Sequence, residues 1–262
     1  MKIFYWIIFI WFFLSSCGVR TRAADVALYS DRGASDGCVT ATRNMFEWMG
    51  LDVELIDADY VNGGSLSDFR IICFPGGNMY YYAQDITESG KDKIREFISD
   101  GGGYVGICGG AYFTGKRVFW QGAQLLMSPL GIFPGTTDGP IDAIAPYPDC
   151  VMCKINITER SHAITQSEPD SAWIMYCYGP VLLPESTAAV TILGTYDIVD
   201  QPAMIAFEYG NGRVFIIGTH PEFEEDSERD GVTFGDGFDD RGSDWDLMKK
   251  AAMWCGGEGF NE

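Results

Sequence analysis

Three short segments carry residue types that could act together on an electrophilic carbon. Gly106-Ile107-Cys108-Gly109-Gly110 runs from a hydrophobic stretch into small residues, with a thiol at the corner. Glycines beside a nucleophile permit a sharp strand-to-helix turn that presents its side chain. A thiol at a helix start also faces the positive end of the macrodipole, which favours the thiolate. His220-Pro221-Glu222 offers a base and an orienter, because residues i and i+2 of an extended chain point to one side. Pro75-Gly76-Gly77 lets backbone N–H groups of Gly76 or Gly77 approach a substrate and stabilise an oxyanion.

Such groups need a frame, and the hydrophobic pattern supplies one. Strands are predicted at 25–30, 52–57, 69–74 and 104–107, and helices at 39–49 and 87–99. Met45, Trp48 and Met49 form a buried stripe on the first helix, and Gly50 stops it. Ile94, Phe97 and Ile98 do the same on the second. Residues 121–184 are broken by Gly and Pro and read as short strands and loops without assigned chemistry. Strands follow at 187–196, 203–209 and 213–218, the last two joined by a Gly210-Asn211-Gly212 hairpin. A closing helix at 244–254 has Ser243 and Asp246 as a capping box and Gly256 just past its end. The β-α-β alternation predicts a three-layer α/β/α domain over 25–256 with a mostly parallel central sheet. All three segments would then sit at the carboxyl ends of its strands, where open α/β sheets bind ligands.

Composition narrows the partners. The chain has 262 residues, of which 47% are hydrophobic and 21% charged, proportions of a globular protein. With 37 acidic and 18 basic residues its formal charge is −19, which argues against nucleic acid and for a small-molecule or peptide substrate. Residues 3–14 are an uninterrupted apolar run after Lys2, too short to span a bilayer but suited to a signal-peptide core. Leu14-Ser15-Ser16-Cys17 resembles a bacterial lipobox, so residues 1–16 are expected to be a signal peptide. Cys17 would be the lipidated residue, 17–24 a linker, and the cell envelope the location, with a lipid anchor in the membrane. Export favours thiol pairing, and Cys150-Val151-Met152-Cys153 reads as a local disulfide or two buried thiols rather than half of a zinc site. The acidic stretch 222–246 lacks the D-x-D-x-D-G spacing of a calcium loop and reads as a solvated face. Neither a metal nor a cofactor is expected.

The order PGG, GICGG, HPE resembles the class I glutamine amidotransferase-like fold. The runs FPGGNMYYYAQDITESGKDKIREFISDGGGYVGICGGAYF and GTHPEFEED are similar to the family named for the N-terminal domain of biotin-protein ligases. That resemblance implies Cys108 as nucleophile, His220 as its base and Glu222 as the orienter of the ring. It further implies an oxyanion hole from N–H groups of Gly109 and of Gly76 or Gly77, and attack on an amide or acyl carbon through a thioester. Glutaminases of this fold usually carry Gln four residues after the nucleophile, where this chain has Tyr112. Tyr80 and Tyr112 are expected to line the substrate site. The expectation is an exported cysteine-dependent hydrolase or acyl or amido transferase. The alternative is a non-catalytic binding module of the envelope on the same frame.

Overall fold

A computed structural model describes residues 24–224, 228–238 and 242–257. Cys17 and the lipobox lie outside them. The first half alternates as expected: β1 (Val26–Tyr29), α1 (Asp36–Trp48), β2 (Val53–Ile56), α2 (Ala58–Gly63), β3 (Ile71–Phe74), α3 (Met79–Asp85), α4 (Glu88–Ser99), β4 (Gly103–Ile107) and α5 (Gly109–Thr114). The second half is strand-rich: β5 (Gly115–Trp120), β6 (Ala123–Gln124), β7 (Phe133–Gly139), β8 (Val151–Ile157), β9 (Ser171–Tyr176), β10 (Val181–Pro184), β11 (Thr191–Tyr196), β12 (Gln201–Tyr209) and β13 (Gly212–Ile217), closed by α6 (Trp245–Gly256).

Nine strands form the main sheet in the order β2-β1-β3-β4-β13-β12-β11-β8-β9. From β2 to β13 the pairs are parallel, and beyond β13 they are antiparallel. Period-two alternation builds two cores, because successive side chains of a strand leave on opposite faces. Val26, Leu28, Val105, Ile107, Phe215 and Ile217 pack with Trp245 and Met248 of α6 on one face. Ala27, Tyr29, Phe74, Tyr104, Val214 and Ile216 pack with Ile94 and Ile98 of α4 on the other.

Local signals explain the helices that flank the sheet. Thr87 Oγ1 accepts the Gly90 N–H at 3.1 Å and so caps α4. The first helix begins three residues before its predicted start, with Asp36 in its first turn, and ends ahead of Gly50. In α6 the N-cap is Asp244, not Ser243; Ser243 Oγ accepts the Trp245 N–H at 3.2 Å, and Gly256 is the last helical residue rather than the stop.

Two departures matter for the site. Residues 121–184 hold more regular structure than their punctuation suggests, including three strands of a second sheet ordered β10-β7-β5-β6. The reason is visible in β7, FPGTTDG, which has one large apolar residue and so no readable alternation. Cys150 is disulfide-bonded to Cys177, 27 residues away, whereas Cys153 is a buried free thiol. The local Cys150–Cys153 bridge is thereby corrected: Cys153 lies inside β8 with its side chain in the core, while Cys150 precedes that strand.

Candidate active site

Parallel register brings the three segments to one rim. Phe74 of β3 is level with Gly106 of β4, and Ile107 is level with Ile217 of β13. Each strand therefore releases its chain at the same edge. The Cys108 N–H donates to Ile217 O at 2.9 Å, and the Gly110 N–H to Pro75 O at 3.1 Å, which knits the three exits together. Cys108 itself has φ 46° and ψ −97°, a rare backbone state for a residue with a Cβ. Strain of this kind persists where surrounding structure enforces it, commonly at functional sites.

The His220 ring is buried between the predicted partners and one that was not predicted. Nδ1 lies 2.9 Å from Glu222 Oε1 and 3.9 Å from Cys38 Sγ, and Cys108 lines the same cavity as the ring, its thiol donating to Cys177 O at 3.6 Å. With Nδ1 held by Glu222, Nε2 is the nitrogen free to exchange a proton with Cys108. Glu222 is fully buried; its backbone oxygen accepts from Trp245 Nε1 at 3.0 Å, fixing the segment against α6. The other histidine, His162, packs edge-on to Trp254.

Charge decides the state of the ring. Burial alone would push His220 down, but the neighbouring Cys108 and Glu222, together with the contact to Cys38, outweigh it and hold the imidazole well above its ordinary 6.5. The site therefore favours imidazolium. Burial pushes the Cys38 thiol up, partly offset by its hydrogen bond to His220. Cys38 Sγ, a His220 nitrogen and a Glu222 oxygen lie within 4.8 Å of one another, a donor set that zinc accepts.

Gly77 and Gly109 meet at the turn beside Cys108. A Cβ on Gly109 would fall 2.4 Å from Gly77 O and 2.8 Å from Gly77 N, so only glycine allows this approach. Gly77 faces Ala34 across an isolated antiparallel bridge whose hydrogen bonds are made by Ser35 to Gly76 O and Asn78 to Gly33 O. Gly77's own N–H is thus turned away from that bridge. Gly76 has a different place: a Cβ there would lie 2.6 Å from His220 Cε1 and 2.7 Å from Cys38 Sγ. The Tyr82 hydroxyl secures this turn by donating to Pro75 O at 3.2 Å.

A cavity of about 670 Å³ opens over Cys108 and His220. Tyr80 lines it, as does Tyr81, whereas Tyr82 is buried in the core. Tyr112 is not on its wall: it is buried, and its hydroxyl donates at 2.9 Å to the backbone oxygen of Tyr178, which is. The expectation that Tyr112 lines the site is corrected to support from behind, since α5 turns its ring inward. Sequence reasoning also passed over Cys38, Trp120, Tyr147 and Tyr178. The signal for Cys38 was its place in the first turn of α1, the helix that follows β1 at the rim marked by the other strands. Described parts of the acidic stretch are internally bonded: Asp230 accepts the N–H groups of Glu224 and Val232 at 2.9 and 3.0 Å. Among the described residues no helix is long and apolar enough to cross a membrane.

Comparison with known proteins agrees with this frame. Residues 24–235 match the family described as "Biotin-protein ligase, N terminal". A biotin–protein ligase of Schizosaccharomyces pombe is 26% identical over 218 residues, which is 76% of this chain and 33% of that protein. The chain thus spans a third of that relative's length. Among solved structures, a glutamine amidotransferase superposes with a TM-score of 0.56 at 17% identity, covering 79% of this chain and 99% of the other. PurLQS from Thermotoga maritima gives 0.59 at 16% identity, covering 87% and 96%. At such identities the structural likeness shows the glutamine amidotransferase-like fold.

Proposed function

The chain belongs to the biotin-protein ligase N-terminal family, and from that premise we propose that it is a cysteine-dependent hydrolase or acyl or amido transferase acting on an amide or acyl bond. The observation that carries this reading is a strained Cys108 sharing one rim and one cavity with His220, whose Nδ1 is held 2.9 Å from buried Glu222. Cys108 Sγ attacks the carbonyl carbon, forming a C–S bond while the carbonyl electrons move to oxygen between the Gly77 and Gly109 N–H groups. Collapse breaks the bond to the leaving amine or alcohol, which takes its proton from His220. Water or an acceptor, deprotonated by His220, then cleaves the thioester and restores the thiol.

Thiol trapping tests the reading. Iodoacetamide is expected to alkylate Cys108 at least about tenfold faster than a cysteine in an unstructured peptide at the same pH, as a nucleophile served by a neighbouring imidazole would be. Peptide mass mapping gives the rate, and a rate no faster than the peptide's rejects the enzyme. A non-catalytic binding module is the competing reading, favoured by Cys108 being only 5% exposed; slow alkylation would select it.

The chain is further proposed to be exported and tethered to the envelope membrane through lipidated Cys17, on the strength of the apolar run and lipobox. In a bacterial host, Cys17→Ser is expected to move it from the membrane fraction to the soluble one. An unchanged membrane fraction rejects the anchor.

A further inference from the structure

The walls of the cleft are rings, and their placement is enforced. Trp120 at the end of β5 meets Tyr147 edge-on at 5.7 Å between centroids, and Tyr147 meets Tyr178 at 5.0 Å. Phe223 and Phe234 form a second edge contact, at 5.4 Å, on the cleft's lining. Tyr178 depends on left-handed backbone, with φ 59°. Such a conformation is unfavourable for a residue with a Cβ, so the fold gives up stability to hold that ring where it is. Tyr147 and Phe234 are about half exposed, at 51% and 49%, an open apolar surface of the sort that marks a ligand site.

Apart from the His220 imidazole beside Cys108, charge is missing from the same walls. Among the described lining residues none is Lys, Arg, Asp or Glu, and the neutral polar side chains besides the tyrosines, Trp120 and the thiols are Ser35 and Asn78. The nearby cation Arg32 lies over the Tyr81 ring at 4.4 Å and is already bonded to Asp85. Away from His220, a carboxylate or ammonium set against these walls would lose hydration without gaining a counter-ion, whereas a ring would gain edge and face contacts.

We propose that the group delivered to Cys108 is an uncharged acyl group bearing an apolar or aromatic ring, and that acyl donors that would set a free charge against the aromatic walls are excluded. This rests on the acyl-transfer reading above and specifies its substrate class. Hydrolysis of an anilide would add the acyl carbon to Sγ, release the aniline with a proton from His220, and return the thiol by attack of water.

The test compares phenylacetyl, acetyl and γ-glutamyl p-nitroanilides on the full chain, with iodoacetamide labelling of Cys108 run in parallel. Phenylacetyl is expected to exceed γ-glutamyl in kcat/KM by at least about 100-fold. Tyr147→Ala, a change at a half-exposed ring, is expected to lower the ratio of phenylacetyl to acetyl kcat/KM about tenfold, and an unchanged ratio overturns the proposal. Equal or faster γ-glutamyl turnover overturns the proposal while leaving the cysteine enzyme standing. Should no anilide be cleaved, titration calorimetry on Cys108→Ala decides: tighter binding of phenylacetamide than of L-glutamine supports the proposal. Equal binding, or none of either, overturns it. Slow labelling of Cys108 rejects the enzyme reading separately.

Discussion

Cys108→Ala is expected to abolish turnover, by at least about 1000-fold, while leaving the folded state in place. Alanine keeps the Cβ that the φ of 46° already accommodates, so the elbow's backbone is not asked to change. What disappears is the sulfur, whose other contact is a 3.6 Å approach to Cys177 O. The nucleophile is thus removed without opening a large cavity. Initial rates on phenylacetyl p-nitroanilide measure the first effect and a thermal melt the second. Retention of more than a tenth of the wild-type rate with a normal melt would remove Cys108 from the chemistry.

Glu222→Gln is expected to slow turnover by roughly 1000-fold or more, although the substitution is nearly isosteric. Glu222 is fully buried and its Oε1 holds His220 Nδ1 at 2.9 Å. An amide in that place offers an uncharged acceptor, or a donor that demands the wrong tautomer. His220 also loses one of the charges that hold it high, and burial then draws it down. The sign follows from linkage. In the parent protein the folded imidazole is raised above its ordinary 6.5. Its contribution to stability is therefore complete below that pH and is lost as pH rises through the folded value. In Glu222→Gln this alkaline loss should shrink. Denaturant midpoints followed from acid to alkaline pH, with ring titration by NMR, check it. An unchanged pH dependence together with a rate within threefold of the parent would sink the assigned role.

The difference between what could be read and what could not is one of sequence distance. Cys108 was legible because its glycines and the preceding strand are contiguous, and His220 because its carboxylate is two residues on. The rim itself followed from β-α-β alternation, since parallel strands must release their chains at one edge. Cys38 reaches His220 across 182 positions and Cys177 reaches Cys150 across 27, and no local pattern records either meeting. The aromatic wall was missed for a related reason. Trp120, Tyr147 and Tyr178 fall at or between strands such as FPGTTDG, whose partners rather than periodicity make them strands. Tyr112 was placed by analogy of position, and the inward turn of a short helix moved it behind the wall.

The end of β9 and the backbone after it bind the core of the site: the His220 N–H donates to Met175 O at 2.8 Å, and Gly179 packs so close to Gly218 that any side chain would collide. The bridge from Cys177 to Cys150 clamps this same stretch from the other side. Handling at the bench inherits a conflict from that arrangement. Dithiothreitol added to keep the nucleophile alive would also unlock the clamp beneath Tyr178, so a preparation protected from oxidation would be one with a loosened selectivity wall.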